Sequence, residues 1–155
     1  MLIYFAGPLF SEAERTFNVQ LTQRLEEAGS FEVFLPQRDG VERGKPLYDK
    51  MSADERRRAL FELDKSKIFE CDVFLFVLDG RVPDEGACVE LGLAQAAKEL
   101  LGAEKLLVGL HTDSRGAFLN SKLNPMVRVP LERIAEGEEE LIEILEDYRS
   151  ERRAS

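Results

Sequence analysis

The chain has 155 residues, of which 44% are apolar and 33% charged, and a formal net charge of −9. This suits a single domain with a sizeable core. The acidic balance excludes a nucleic-acid backbone as the expected partner and leaves one nucleoside or nucleotide open. No apolar run reaches the length of a membrane span. The opening MLIYFAG reads as a first strand rather than a secretory leader, so a cytoplasmic protein is expected. Cys71 and Cys88 match no metal or redox spacing and are expected to be small buried or half-buried residues.

Taken in order, Leu2 to Phe5 is a short apolar run that predicts a buried strand, ended by Ala6-Gly7-Pro8. Gly7 permits a sharp turn or close approach of a ligand. Ser11 with Glu14 three residues on is a capping-box pattern. It predicts a helix to about Glu27, with Gly29 as its stop. Phe31 to Leu35 predicts a second strand. The polar cluster Pro36 to Gly40 follows at its carboxyl end, either facing a ligand or forming an ordinary solvated loop. Val41 to Ser52 has no regular period and predicts a long loop of the kind often used as a lid.

Ala53 to Phe69 predicts a helix with Leu60, Leu63 and Ile68 inward. Asp64 falls among them, with Lys65, Lys67 and Arg57 as candidate ion-pair partners. Val73 to Leu78 is the most apolar strand, as expected at the centre of a parallel sheet covered on both faces. The turn Asp79 to Gly86 leads into a helix that ends at Gly102. On the wheel of that helix, one arc holds Gly86, Ala87, Val89, Leu93, Ala94, Ala96, Ala97, Leu100, Leu101 and one charged residue, Glu90. A carboxylate facing the protein body is costly without partners. It reads either as a structural glutamate paired to a donor or as an active-site group at the carboxyl end of a strand, where open α/β sheets bind ligands. Asp84 reads as the N-cap of this helix.

Lys105 to Leu110 predicts a fourth strand and Met126 to Val129 a short fifth. Glu138 to Tyr148 predicts a final helix, with the last residues, 151–155, frayed. His111 is the single histidine and has no second imidazole with which to build a metal site. The alternation predicts one domain over residues 1–150. Its fold is a three-layer α/β sandwich around a mostly parallel five-stranded sheet of order 2-1-3-4-5, flavodoxin- or Rossmann-like. The switch point then lies between the first and third strands, bordered by Ala6 to Phe10 and Asp79 to Gly86. There is no Walker A motif and no GxGxxG. Asp64, Asp84 and Glu90, with Tyr4 nearby, suit acid–base or nucleophilic work at an acetal-like carbon, such as an N-glycosidic bond. The same carboxylates also fit magnesium.

IYFAGPLF at residues 3–10, FLPQRDG at 34–40 and DEGACVELG at 84–92, with Asp64 eight residues ahead of Asp72, resemble the nucleoside 2-deoxyribosyltransferase family in order and spacing. The resemblance runs from Ile3 to about the last helix. It implies that Glu90 is the nucleophile that takes the 2-deoxyribosyl group, and that Asp64 and Asp84 contact substrate, one of them protonating the base. Tyr4 would orient the nucleophile. Gly7, Gln37 and Gly86 would border the substrate, and Asn124, with Asn120 as rival, would reach the sugar of a neighbouring subunit's substrate. Implied partners are a nucleoside and a free nucleobase, within a homo-oligomer of at least two chains sharing active sites, with no metal or organic cofactor. Two alternatives stand beside this. One is hydrolysis of 2′-deoxynucleoside 5′-monophosphates, which Ser11, Arg38 and Ser121 favour and Asp84 opposes. The other is a non-enzymatic nucleotide-binding module.

Overall fold

A computed structural model describes residues 1–28, 31–41, 48–113 and 123–154. Five parallel strands, β1 (Leu2–Ala6), β2 (Glu32–Phe34), β3 (Val73–Val77), β4 (Leu106–Leu110) and β5 (Arg133–Ala135), form one sheet of order β2-β1-β3-β4-β5. The register pairs Tyr4 with Phe34 on one side and with Phe74 on the other. All pairs are parallel, so the expected mostly parallel sheet is wholly so.

The period of two along each strand sorts the core into two layers. Ile3, Val33, Leu75 and Val108 pack with Leu21, Leu25, Leu141 and Leu145 on one face. These helical residues come from α1 (Glu12–Glu27) and α6 (Glu138–Ala154). Tyr4, Phe34, Phe74 and Leu107 pack with Ile68, Ala87, Leu91 and Ala94 on the other. Those come from α3 (Ala53–Glu70) and α4 (Glu85–Leu101). The chain leaves β1 toward one face and β3 toward the other, so a crevice opens between their carboxyl ends.

Local chemistry explains the helix starts. Ser11 with Glu14, and Ser52 with Glu55, each close a reciprocal capping box. At the far end of α3, buried Lys105 donates to Ile68 O at 2.5 Å. α4 ends on Gly102 in the left-handed conformation (φ +66°), where glycine is unstrained.

Several expectations are corrected. The polar cluster after β2 is a short helix, α2 (Pro36–Asp39), with proline in its first turn. Met126 to Val129 is not a strand. Pro125–Arg128 forms α5, begun by the Asn124 side chain accepting from Met126 N at 2.9 Å. Asn before Pro is a helix start, and Met126 and Val129 remain exposed. The fifth strand is Arg133–Ala135 instead, joined to β4. The final helix continues past Tyr148 to Ala154, held where Arg152 pairs with Asp72. On α4 the buried positions are Ala87, Leu91, Ala94 and Ala97, whereas Val89, Leu100 and Leu101 of the expected arc are exposed. The wheel could not tell an inward stripe from an outward apolar one. Gly29, Asn120, Ser121 and residues 42–47 of the expected loop lie outside the described residues. Among the described residues no helix is long and apolar enough to cross a membrane.

Candidate active site

The crevice is a cleft of about 520 Å³, within the range of small-molecule sites. It is bordered by the end of β1 (Phe5 to Gly7), the following loop, the start of α2, the middle of α3 and the first turns of α4. Asp64 from α3 and Asp84 and Glu90 from the start of α4 line it together, as do Gly7, Gln37 and Gly86. Asn124 does not line the cleft of its own chain; it is exposed, with Oδ1 occupied by Met126 N. His111 is also absent from the lining and serves the sheet, its backbone N donating to Ala135 O at 2.9 Å.

Glu90 sits on the second turn of α4, beside the buried stripe of Ala87, Leu91 and Ala94. Its Oε1 accepts from Tyr4 Oη at 2.9 Å. Tyr4 is fully buried beneath the cleft. Burial and the neighbouring Glu90 hold the Tyr4 hydroxyl far above its ordinary range, so it is a neutral donor at any working pH. Desolvation raises Glu90 to about 7; the Tyr4 hydrogen bond opposes this, while the charges of Asp64 and Asp84 add to it.

Asp64 is 9% exposed, and its Oδ1 is buried without a hydrogen-bond partner. The cations expected to neutralise it pair elsewhere: Arg57 with Asp54, Lys65 with Glu62 and Lys67 with Glu70. Desolvation accordingly pushes Asp64 up to about 6. A carboxylate left this way is a net cost to folding, which is a reason to look for function. Asp84 is both a cap and a cleft residue, with Oδ1 accepting from Ala87 N at 2.8 Å. A Cβ on Gly86 would come within 3.2 Å of that oxygen.

Gln37 is held at both ends of its amide. It donates to Arg15 O at 2.9 Å and accepts from Asn18 Nδ2 at 3.0 Å. It thereby ties α2 to α1 at the cleft edge. Arg38, a candidate phosphate ligand, is engaged with Glu26, Asp39 and Val33 O, and Ser11 is committed to capping α1. Sequence reasoning passed over Arg15, whose guanidinium borders the cleft and donates to Phe10 O at 2.8 Å. It also passed over the apolar walls Phe10, Val41 and Leu60. An arginine one turn into the helix that follows a candidate ligand loop was the available signal for the first. The walls carry no sequence signal beyond being apolar. Among the described residues no group of three His, Cys, Asp or Glu side chains is placed to hold a metal ion.

No curated protein sequence matches the chain. Among solved structures, a conserved protein from Enterococcus faecalis V583 is 26% identical, with a TM-score of 0.75 over 95% of this chain and 98% of that one. A 2-deoxyribosyltransferase from Bacillus psychrosaccharolyticus is 21% identical, with a TM-score of 0.68 over 92% and 90% of the two chains. A CMP N-glycosidase from Clostridium botulinum is 22% identical, with a TM-score of 0.52 over 96% and 99%. The last two, at that identity, speak to the shared fold. The model of the nucleoside 2-deoxyribosyltransferase family matches residues 3–140, nearly the whole domain that carries this cleft, and the chain belongs to that family.

Proposed function

We propose that the protein transfers a 2-deoxyribosyl group between nucleobases through a covalent ester on Glu90. The observation that carries this reading is the pairing of Glu90 with the buried Tyr4 hydroxyl in a cleft shared with an unpaired Asp64 and with Asp84. Glu90 attacks the anomeric carbon as the bond to the base breaks, and an aspartate delivers a proton to the departing nitrogen. A second base then attacks the same carbon. The carbon–Glu90 bond breaks, the carboxylate is restored and the incoming base loses its proton to the aspartate. Two inversions give net retention.

The reactive form has Glu90 ionised and the proton on an aspartate. With Glu90 at about 7 and Asp64 at about 6, that form lies within about tenfold of the reverse arrangement. Tyr4 favours it by donating to ionised Glu90. Asp84 has one oxygen spent on the helix cap, leaving the other for substrate. Asn124 belongs to the site of a neighbouring copy in a homo-oligomer. The exposed apolar residues Val89 and Leu100 of α4, with Leu60 and Phe61 of α3, support such an interface.

Incubation with a 2′-deoxynucleoside and a different free base tests the reading. A swapped nucleoside is expected, and the Glu90→Ala protein should form none. Retention of full transfer by Glu90→Ala would overturn it. The second reading is hydrolysis of a 2′-deoxynucleoside 5′-monophosphate, favoured by Arg15 at the cleft and opposed by the negative charge of Asp84. Release of base from a deoxynucleotide, without a swapped product, would select it.

A further inference from the structure

Tyr4 lies between two parallel rings. Phe34 stacks on one side with centroids 5.6 Å apart and planes at 20°, and Phe74 on the other at 5.7 Å and 8°. The arrangement follows from the sheet. Tyr4 is the register partner of Phe34 on β2 and of Phe74 on β3, so the three side chains emerge on the same face of adjacent strands. Phe76, two residues further along β3, meets Phe74 edge-on, with centroids 6.4 Å apart and planes at 82°. Tyr4 and Phe74 are fully buried and Phe34 is 7% exposed.

Aliphatic side chains would fill this layer as well. What rings add is control of orientation. A phenol O–H prefers the plane of its ring, and tilting the ring about its Cα–Cβ bond moves the oxygen. A ring clamped on both faces cannot tilt freely, so its oxygen is held in place.

We propose that Phe34 and Phe74 are positioning residues for the nucleophile, holding the Tyr4 ring so that its hydroxyl lies on the line to Glu90 Oε1. This rests on the reading of Glu90 as nucleophile, but its test does not use turnover. Replacing either phenylalanine with leucine opens space beside the Tyr4 ring. The hydroxyl loses its alignment, and the ionised form of Glu90 loses a donor.

The test is a carboxyl-carbon NMR titration of Glu90 in the substrate-free protein labelled with 13C-glutamate, the signal assigned with Glu90→Gln. The Tyr4→Phe midpoint is expected to rise by about one pH unit. Phe74→Leu and Phe34→Leu should rise by a substantial part of that. In Tyr4→Phe/Phe74→Leu the midpoint should equal that of Tyr4→Phe alone, because Phe74 acts through the hydroxyl already removed. Leucine variants that melt lower while Glu90 titrates as in the unmodified protein would overturn the proposal, as would additive shifts in the double variant. Should Phe74→Leu on the central strand fail to fold, Phe34→Leu on the edge strand carries the same comparison. A coupled titration in a protein that exchanges no bases would instead count against glycosyl transfer and leave the positioning role standing.

Discussion

Tyr4 Oη donates to Glu90 Oε1 at 2.9 Å, joining β1 to the second turn of α4 across 86 positions of sequence. The donor favours the ionised carboxylate, against the desolvation that raises Glu90 to about 7. Removing it raises Glu90 further. The Tyr4→Phe enzyme should therefore lose about tenfold in kcat/KM well below pH 7 and about fivefold at pH 7. Above about pH 9, where Glu90 ionises in both proteins, the two should converge. A pH–rate profile checks this. A uniform loss at every pH would show that the hydroxyl does something other than favour the carboxylate.

Asp64 should make folding pH-dependent in a definite direction. Its folded value of about 6 exceeds the unfolded value of about 3.9. Below about pH 4 the carboxyl is neutral in both states and no charge is buried. The cost builds between about pH 4 and pH 6 and stays constant above. Asp64→Asn should therefore melt about 3–6 °C above the unmodified protein at pH 8 and show no such gain at pH 4. Parallel melting curves across that range would mean that Asp64 is not buried as a charge.

Gly7 ends β1 against β3. A Cβ placed there would sit 3.0 Å from Val77 Cβ and 3.4 Å from Val77 O. Neither neighbour is the free end of a flexible side chain. Gly7→Ala should therefore part the two strands at the cleft, costing about 1–3 kcal/mol of stability and at least about tenfold in turnover, since small misplacements of reacting groups are amplified. Denaturant titration and steady-state assay read the two effects.

Subunit sharing has its own test. Asn124→Ala and Glu90→Ala should each be inactive alone. If every site takes Glu90 from one chain and Asn124 from another, dissociating and reassembling an equal mixture of dimers should restore about a quarter of the unmodified activity. Leu100→Glu, on the exposed stripe of α4, should sediment as a smaller species. Independent sites would give no recovery on mixing.

The sequence reading located the long helices and the inner strands well because their signals are local. Ser11 with Glu14 and Ser52 with Glu55 cap α1 and α3 through neighbours three residues away. Val73 to Val77 is buried at every position, which its continuous apolar run announced. The misreadings have a shared cause. Val129 looked like part of a strand and Leu100 like core, but both are exposed, and apolar character alone does not say which neighbour an element will have. The Asn124-Pro125 start overrode the strand reading through a local cap.

By itself the sequence determined the order of the long helices and the inner strands, the parallel sheet with its switch point, and the set of carboxylates worth testing. Periodicity, caps and crossover handedness are properties of short segments and survive without the rest of the molecule. The tertiary structure alone decided which acids are left unpaired. Three cations near Asp64 were equal candidates on paper, yet each turned to a carboxylate on its own exposed side of α3. Packing α3 and α4 on one face of the sheet left Asp64 unpaired in the cleft and brought Glu90 over Tyr4. Charge pairing and desolvation depend on distances between segments far apart in the chain, and those exist only once the sheet has closed.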